Sequence, residues 1–187
     1  MVKLKKFLWA SLLIAVSSNA SCELLKIQMQ NLSKAFSYGK NIKASDGMTF
    51  EYALSSILLA ESSGGINVVD KTYDSLGAFQ IRPHVAELLI EEFTPHYHDL
   101  LKPKNRKKLL DKLLNDFNFS MELAAHHLLK HYEEALQRNM KNPWKRTISR
   151  YNGGWDNTAY LEKIDKIKNF IYRLKKRGAI KDVNPLW

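Results

Sequence analysis

Residues 50–81 constrain the fold most, because an apolar helix there ends on a single carboxylate followed by two glycines. The apolar residues recur at three- and four-residue steps, at Phe50, Leu54, Ile57 and Leu58. Glu61 continues this spacing, so we expect its side chain on the apolar face of the helix. Partial burial and the negative end of the helix dipole both disfavour the anion, which predicts a raised pKa for Glu61. Glu61 is therefore a candidate proton donor, and a glutamate that caps the helix or forms a salt bridge is the alternative interpretation.

The composition indicates a globular protein with a basic surface. The chain has 187 residues, of which 45% are hydrophobic, and a net charge of +10, so one domain with its own core is expected. Three lysines stand in the first six residues, and removing them leaves about +7 of the +10. A basic surface fits nucleic acid, anionic lipid or an acidic cell-wall polymer. The single cysteine, Cys22, excludes an intrachain disulfide and a Cys-based metal site.

Residues 1–21 have the three parts of a secretory signal peptide. Lysines precede an apolar run from Phe7 to Val16, and a small-x-small cleavage site follows at 18–20. The run is short for a transmembrane helix, although an uncleaved anchor is the alternative. Residues 20–22 resemble the end of a bacterial lipoprotein signal, but Asn19 stands where an apolar residue is usual, so simple cleavage is favoured over lipidation of Cys22. We expect an exported protein of the periplasm or cell envelope, with possible membrane attachment through its N-terminus, which makes nucleic acid a poor partner.

The remaining chain predicts an all-α fold of about seven short helices packed as an irregular bundle. Residues 22–47 form an N-terminal extension with a loop from Ser37 to Gly47, residues 48–174 form the main domain, and residues 175–187 form a basic tail. Helix N-caps are predicted at Thr49, Ser120 and Thr158. The first helical turns are predicted at Pro83 and Pro143.

The histidines do not predict a metal site. His127 and His131 are four residues apart, but a zinc protease motif needs a glutamate where Leu128 stands. His96 and His98 lie in a proline-containing linker and are interpreted as surface residues. We predict neither a metal nor an organic cofactor.

Three motifs follow one another at wide spacing: Glu61-Ser62-Ser63, then Gly77-Ala78-Phe79-Gln80, then Tyr151-Asn152-Gly153-Gly154 with Tyr160 after it. In this order they resemble the soluble lytic transglycosylase family, whose signatures are Glu-Ser, Gly-Leu-Met-Gln and Tyr-Asn-x-Gly. That family has a lysozyme-like catalytic domain with a substrate cleft and acts on peptidoglycan. The resemblance covers residues 48–172 and is closest to small single-domain members that accompany secretion, conjugation or pilus machines.

The resemblance implies a role for each matching position. Glu61 matches the sole catalytic acid and base. The implied substrate-binding residues are Ser62, Gly77, Phe79, Gln80, Tyr151, Asn152 and Tyr160. Many family members also have a serine in the loop before the glycine turn, and this loop carries Asp70, Thr72, Asp74 and Ser75 instead. Which of them completes the site stays open, and Asp70 or Asp74 could be a second carboxylate.

The implied reaction needs one carboxyl group where most glycosidases need two. Glu61 protonates the oxygen between N-acetylmuramic acid and N-acetylglucosamine, and then accepts the proton of the muramic acid C6 hydroxyl as a 1,6-anhydro ring closes. Two alternatives remain: a hydrolytic lysozyme of the same fold, and a non-catalytic peptidoglycan-binding assembly factor.

Overall fold

The computed structural model describes residues 24–70 and 74–183. The predicted signal peptide, Cys22 and Thr72 lie outside these residues. The seven described α-helices are α1 (Lys26–Asn41), α2 (Glu51–Ser62), α3 (Pro83–Phe93), α4 (Arg106–Asn115), α5 (Phe117–Gln137), α6 (Pro143–Tyr151) and α7 (Thr158–Lys176). The short 3-10 helices Pro95–Leu101 and Pro103–Asn105 connect α3 to α4. With 69% helix, the all-α prediction is confirmed.

The two described strands are short and lie between α2 and α3. Strand β1 (Val69–Asp70) pairs in antiparallel orientation with β2 (Ser75–Leu76), with Val69 opposite Leu76. Ile81 also bridges to Leu76, which closes the chain over residues 77–80 into a tight turn. These strands therefore serve to shape one turn and do not add a layer to the helical core.

Helix α2 is the centre of the molecule. Its seven residues from Ala53 to Leu59 are all buried, because α1, α5 and α7 all pack against this helix. A helix that is buried on all sides is typical of a core element rather than of an amphipathic surface helix. The two serines at 55 and 56 are therefore inside with the leucines, each with no exposed surface. In the part of the chain described here, no helix is long and apolar enough to cross a membrane.

Helix α1 corrects the prediction of a loop that begins at Ser37, since the helix continues to Asn41. Gly39 is the reason the sequence misleads: a Cβ at this position would lie 2.7 Å from the Glu51 Cα. The glycine is a close contact between α1 and α2, and not a turn residue. The predicted extension is thus part of the core.

The chain after α7 also packs against α1. Ile180 is 2% exposed and belongs to a small apolar cluster with residues of α1, α2 and α7. The backbone amides of Lys181 and Val183 donate to the Ser33 and Ser37 hydroxyl groups at 3.3 and 3.0 Å. The described part of the predicted basic tail therefore folds onto the domain.

The predicted N-caps are each displaced. Phe50, Asp116 and Asn157 hold the N-cap positions of α2, α5 and α7. Asp116 and Asn157 accept hydrogen bonds from the backbone amides three residues later, whereas the α2 cap makes no side-chain bond. The proline predictions are confirmed, because Pro83 and Pro143 each begin a helix.

Candidate active site

The C-terminal end of α2 is fixed by a sharp left-handed break. Ser63 and Gly64 have φ of 54° and 79°, and their amides donate back to the carbonyls of the last turn. Two amide side chains of α1 hold the break in place: Gln28 donates to the Ser63 carbonyl at 2.7 Å, and Asn31 donates to the Gly64 carbonyl at 2.9 Å. Glu61 is thus presented on the last turn of a rigid, buried helix.

The Glu61 carboxylate is half-buried and is held by a residue far away in the chain. The Tyr160 hydroxyl, 99 residues later, donates a hydrogen bond to Glu61 Oε1 at 2.6 Å. Tyr160 is positioned by Asn157, whose Oδ1 accepts from the Tyr160 amide at 3.1 Å. The loop between Gly154 and Tyr160 therefore brings this tyrosine to the glutamate.

The glycine turn is joined to the same site through two of its carbonyls. The Ser62 hydroxyl donates to the Ala78 carbonyl at 2.6 Å, and the Tyr151 hydroxyl donates to the Phe79 carbonyl at 2.9 Å. The Ser62 Oγ also accepts from the Gly65 amide at 2.8 Å. The three motifs thus meet around the end of α2.

Gly77 is required by the approach of α4 to this turn. Its φ is +79°, and a Cβ there would lie 2.0 Å from the Leu113 carbonyl oxygen. The resemblance implies that this glycine admits a glycan, whereas the structure places the end of a helix against it. Gln80 has a φ of 50° and donates to the Gly77 carbonyl at 2.9 Å. The Oε1 atom of Gln80 has no hydrogen-bond partner among the described residues.

Two of the implied substrate-binding residues have buried side chains. Ser62 is 1% exposed and Phe79 is 0% exposed, so neither side chain is accessible to a glycan strand. Ser62 ties α2 to the glycine turn, and Phe79 packs against Phe117 in the core with ring centroids 5.8 Å apart. Asn152 is exposed and accepts a hydrogen bond from the Asn157 amide group at 3.0 Å.

The loop before the glycine turn contains the candidates for the residue that completes the site. Asp74 is exposed and has a φ of 52°, whereas Ser75 is 7% exposed. Asp70 pairs with Ser75 through the backbone of the two strands. The identity of a residue that completes the site from this loop stays a prediction.

Both tyrosines of the site remain hydrogen-bond donors. Burial, together with the negative charge of Glu61, raises the pKa of Tyr151 and of Tyr160 well above the ordinary value. Lys163 is the cation nearby that sequence reasoning missed, and its Nζ donates to the Ala60 carbonyl at 2.7 Å. It follows Tyr160 by three residues, so the helical spacing was a signal that could have found it. Burial lowers the pKa of Lys163, while the charge of Glu61 acts in the opposite direction. The raised pKa expected for Glu61 stays a prediction.

A pair of histidines on α5 packs against the Tyr151 ring. The Nε2 atoms of His127 and His131 lie 2.7 Å apart, and the His127 ring lies 5.0 Å from the Tyr151 ring. Burial and neighbouring positive charges lower the pKa of His127 to about 3 and that of His131 to about 4. Both rings are thus neutral packing groups at neutral pH. Across residues 24–70 and 74–183, no group of three or more His, Cys, Asp or Glu side chains is arranged to hold a metal ion.

The chain was compared with protein-family models, with curated proteins and with solved structures, and no match was found in any of the three comparisons. A function can therefore be inferred only from the residues and geometry of the candidate site.

Proposed function

We propose that the chain is a peptidoglycan lytic transglycosylase with a lysozyme-like fold, in which the end of α2 lies at the substrate cleft. The observation that carries this proposal is the pairing of the half-buried Glu61 with the Tyr160 hydroxyl at 2.6 Å. A carboxyl group at the end of a rigid core helix, oriented by a neutral phenol, is suited to general acid and base catalysis. The convergence of the glycine turn and the Tyr151 segment on the same helix end supports it further.

In this proposal Glu61 performs both proton transfers. As an acid it gives its proton to the glycosidic oxygen while the bond to the muramic acid anomeric carbon breaks, and the N-acetyl oxygen of that sugar shields the positive charge. As a carboxylate it then takes the proton of the C6 hydroxyl, whose oxygen bonds to the anomeric carbon. The product is a 1,6-anhydro ring, water is not consumed, and Glu61 ends the cycle protonated. Proton transfer by a positioned group typically contributes about 100- to 10,000-fold to a rate.

The remaining residues have supporting roles in this proposal. Tyr160 orients the carboxyl group of Glu61, and Tyr151 fixes the glycine turn through the Phe79 carbonyl. Gln80 donates its side-chain amide to the Gly77 carbonyl and so stabilises the shape of the turn that faces the substrate. A basic, exported protein also suits peptidoglycan, because the polymer carries carboxylates.

The test is the identity of the products. Purified peptidoglycan is digested with the full chain, and the released fragments are analysed by mass spectrometry. A transglycosylase gives 1,6-anhydro-muramyl ends, which are lighter by one water than the reducing ends that a hydrolytic lysozyme gives. Reducing ends would favour the lysozyme, and no release with retained wall binding would favour a non-catalytic assembly factor.

A further inference from the structure

Lys163 lies at the end of α2 where Glu61 is presented. It stands one helical turn after Tyr160 on α7, so both side chains leave the helix on the same side. The Lys163 Nζ donates to the Ala60 carbonyl at 2.7 Å, in a partly buried position. This carbonyl belongs to the peptide bond that joins Ala60 to Glu61. The fold therefore places an ammonium group on the backbone immediately before the candidate acid.

A simple helix cap is the modest explanation for this contact. The last carbonyls of a helix lack partners within the helix, and a lysine near them also interacts favourably with the helix dipole. A cap alone does not require a buried cation, because a solvent-exposed lysine or water also satisfies a carbonyl. The position of Lys163 costs desolvation, which is the main cause of its lowered pKa, and the charge of Glu61 opposes that effect. The two charges are thus electrostatically coupled.

Among the described residues, the two phenols that are coupled to Glu61 are uncharged at neutral pH. Glu61 acts on Tyr151 from α6 and on Tyr160 and Lys163 from α7. Both phenols have pKa values raised well above the ordinary range, so they stay neutral. From α1 the side-chain amides of Gln28 and Asn31, which are uncharged, donate to the carbonyls of Ser63 and Gly64. Of these three described groups, Lys163 carries the positive charge.

We propose that Lys163 is a positioning residue that stabilises the carboxylate form of Glu61 during the reaction cycle. The inference rests on the acid and base role proposed for Glu61. When Glu61 has given its proton to the leaving oxygen, the new carboxylate forms within the electrostatic reach of the Lys163 ammonium, which is bound to the Ala60 carbonyl. The carboxylate then removes the C6 hydroxyl proton and becomes neutral again, while Lys163 keeps its three protons throughout. Because an opposite charge favours the ionised form of a carboxyl group, Lys163 stabilises the Glu61 carboxylate until it takes the C6 hydroxyl proton.

The experiment is a titration of the Glu61 carboxyl carbon by NMR in the full-length chain, with Glu61→Gln used to assign the signal. Lys163→Met removes the charge and the donor, and Lys163→Gln removes the charge while keeping an amide donor. Lys163→Arg restores the charge, and Lys166→Met is the matched control, because Lys166 is an exposed lysine on the same helix. We expect the Glu61 midpoint to rise by about one pH unit in both uncharged variants. The Arg variant and the control should titrate like the parent. The alkaline limb of the pH–rate profile, where Glu61 loses the proton that it must give, should move with the midpoint.

The outcomes separate this inference from the proposed function. A lower melting temperature with an unchanged Glu61 midpoint in both uncharged variants would show that Lys163 only caps the Ala60 carbonyl, and the inference would be overturned. A raised midpoint in a protein that releases no anhydro product would support the coupling and refute the proposed function. Recovery of the parent midpoint in Lys163→Arg would support the role of charge.

Discussion

Replacing Gly77 by alanine should destabilise the protein strongly, because two separate costs meet at this position. A φ of +79° is unfavourable for a residue with a Cβ, by about 1 to 2 kcal/mol. The new Cβ would also lie 2.0 Å from the Leu113 carbonyl oxygen and 2.9 Å from the Ser120 Oγ. The backbone of the turn or the end of α4 must move by about 1 Å to relieve the contact, and overpacking of this kind costs about 1 to 3 kcal/mol more. Together the loss is about 2 to 5 kcal/mol.

The assay is thermal unfolding followed by circular dichroism, with Gly47→Ala as the matched control. Gly47 has a φ of +87°, but nothing lies within 4 Å of its Cβ position, so this variant measures the backbone cost alone. In a protein of this size 1 kcal/mol corresponds to about 2 to 4 °C, so Gly77→Ala should melt roughly 10 °C lower and Gly47→Ala about 3 °C lower. Activity of the folded Gly77→Ala protein should also fall about 100-fold, because the turn is displaced relative to Glu61. Equal melting temperatures for the two variants would refute the close approach of α4.

Two further predictions concern the tyrosine and the histidines of the site. Tyr160→Phe keeps the ring in its buried place but removes the hydrogen bond to Glu61, and a hydrogen bond to a charged group contributes about 1.5 to 3 kcal/mol. Muropeptide release by the folded variant should fall roughly 10- to 100-fold. The melting temperature should fall by about 3 to 12 °C. An unchanged rate would remove this tyrosine from the mechanism. In the folded protein the pKa is about 3 for His127 and about 4 for His131, whereas an unfolded histidine has a pKa of about 6.5. Between these values the unfolded chain binds more protons than the folded one. The free energy of unfolding should therefore fall as the pH is lowered from about 6.5 toward about 4. Urea unfolding at about pH 7.5 and about pH 5 should show a smaller loss in the double variant His127→Gln/His131→Gln, and an equal loss would contradict buried neutral rings.

The helices that carry the site could be predicted because their signals are local. The apolar spacing before Glu61 and the two glycines after it define the end of α2, and Pro83 and Pro143 mark helix starts through their fixed φ. These signals depend on a few neighbouring residues. They therefore do not require knowledge of the tertiary contacts.

The errors arise where a tertiary contact gives a residue another meaning. Glycine is a residue type that often indicates a turn, but Gly39 lies within α1 and lets this helix approach the backbone of Glu51. A single sequence also does not separate Leu88, which is 58% exposed, from the neighbouring Leu89 and Ile90, which are buried. The direction from which other helices cover an element decides such cases, and a single sequence does not contain it.

The substrate-binding roles of the site residues stay predictions, whereas the positions of the motifs in the fold can be compared with the structure. The motif positions meet at one helix end, as the resemblance implies, but burial turns Ser62 and Phe79 into structural residues. A motif records which residue types occur together and not which of them face solvent. Lys163 belongs to no quoted motif, although its place one turn after Tyr160 brings it to the same helix end.

The central claim is that Glu61 is the group that transfers the proton, and one measurement tests it most directly. The rate at which 1,6-anhydro-muramyl fragments appear is measured by mass spectrometry for the parent, for Glu61→Gln and for Glu91→Gln, which changes an exposed glutamate on α3. The account predicts that Glu61→Gln loses at least about 100-fold in rate while its circular dichroism spectrum is unchanged, and that Glu91→Gln matches the parent. Anhydro fragments released by Glu61→Gln at the parent rate would contradict it.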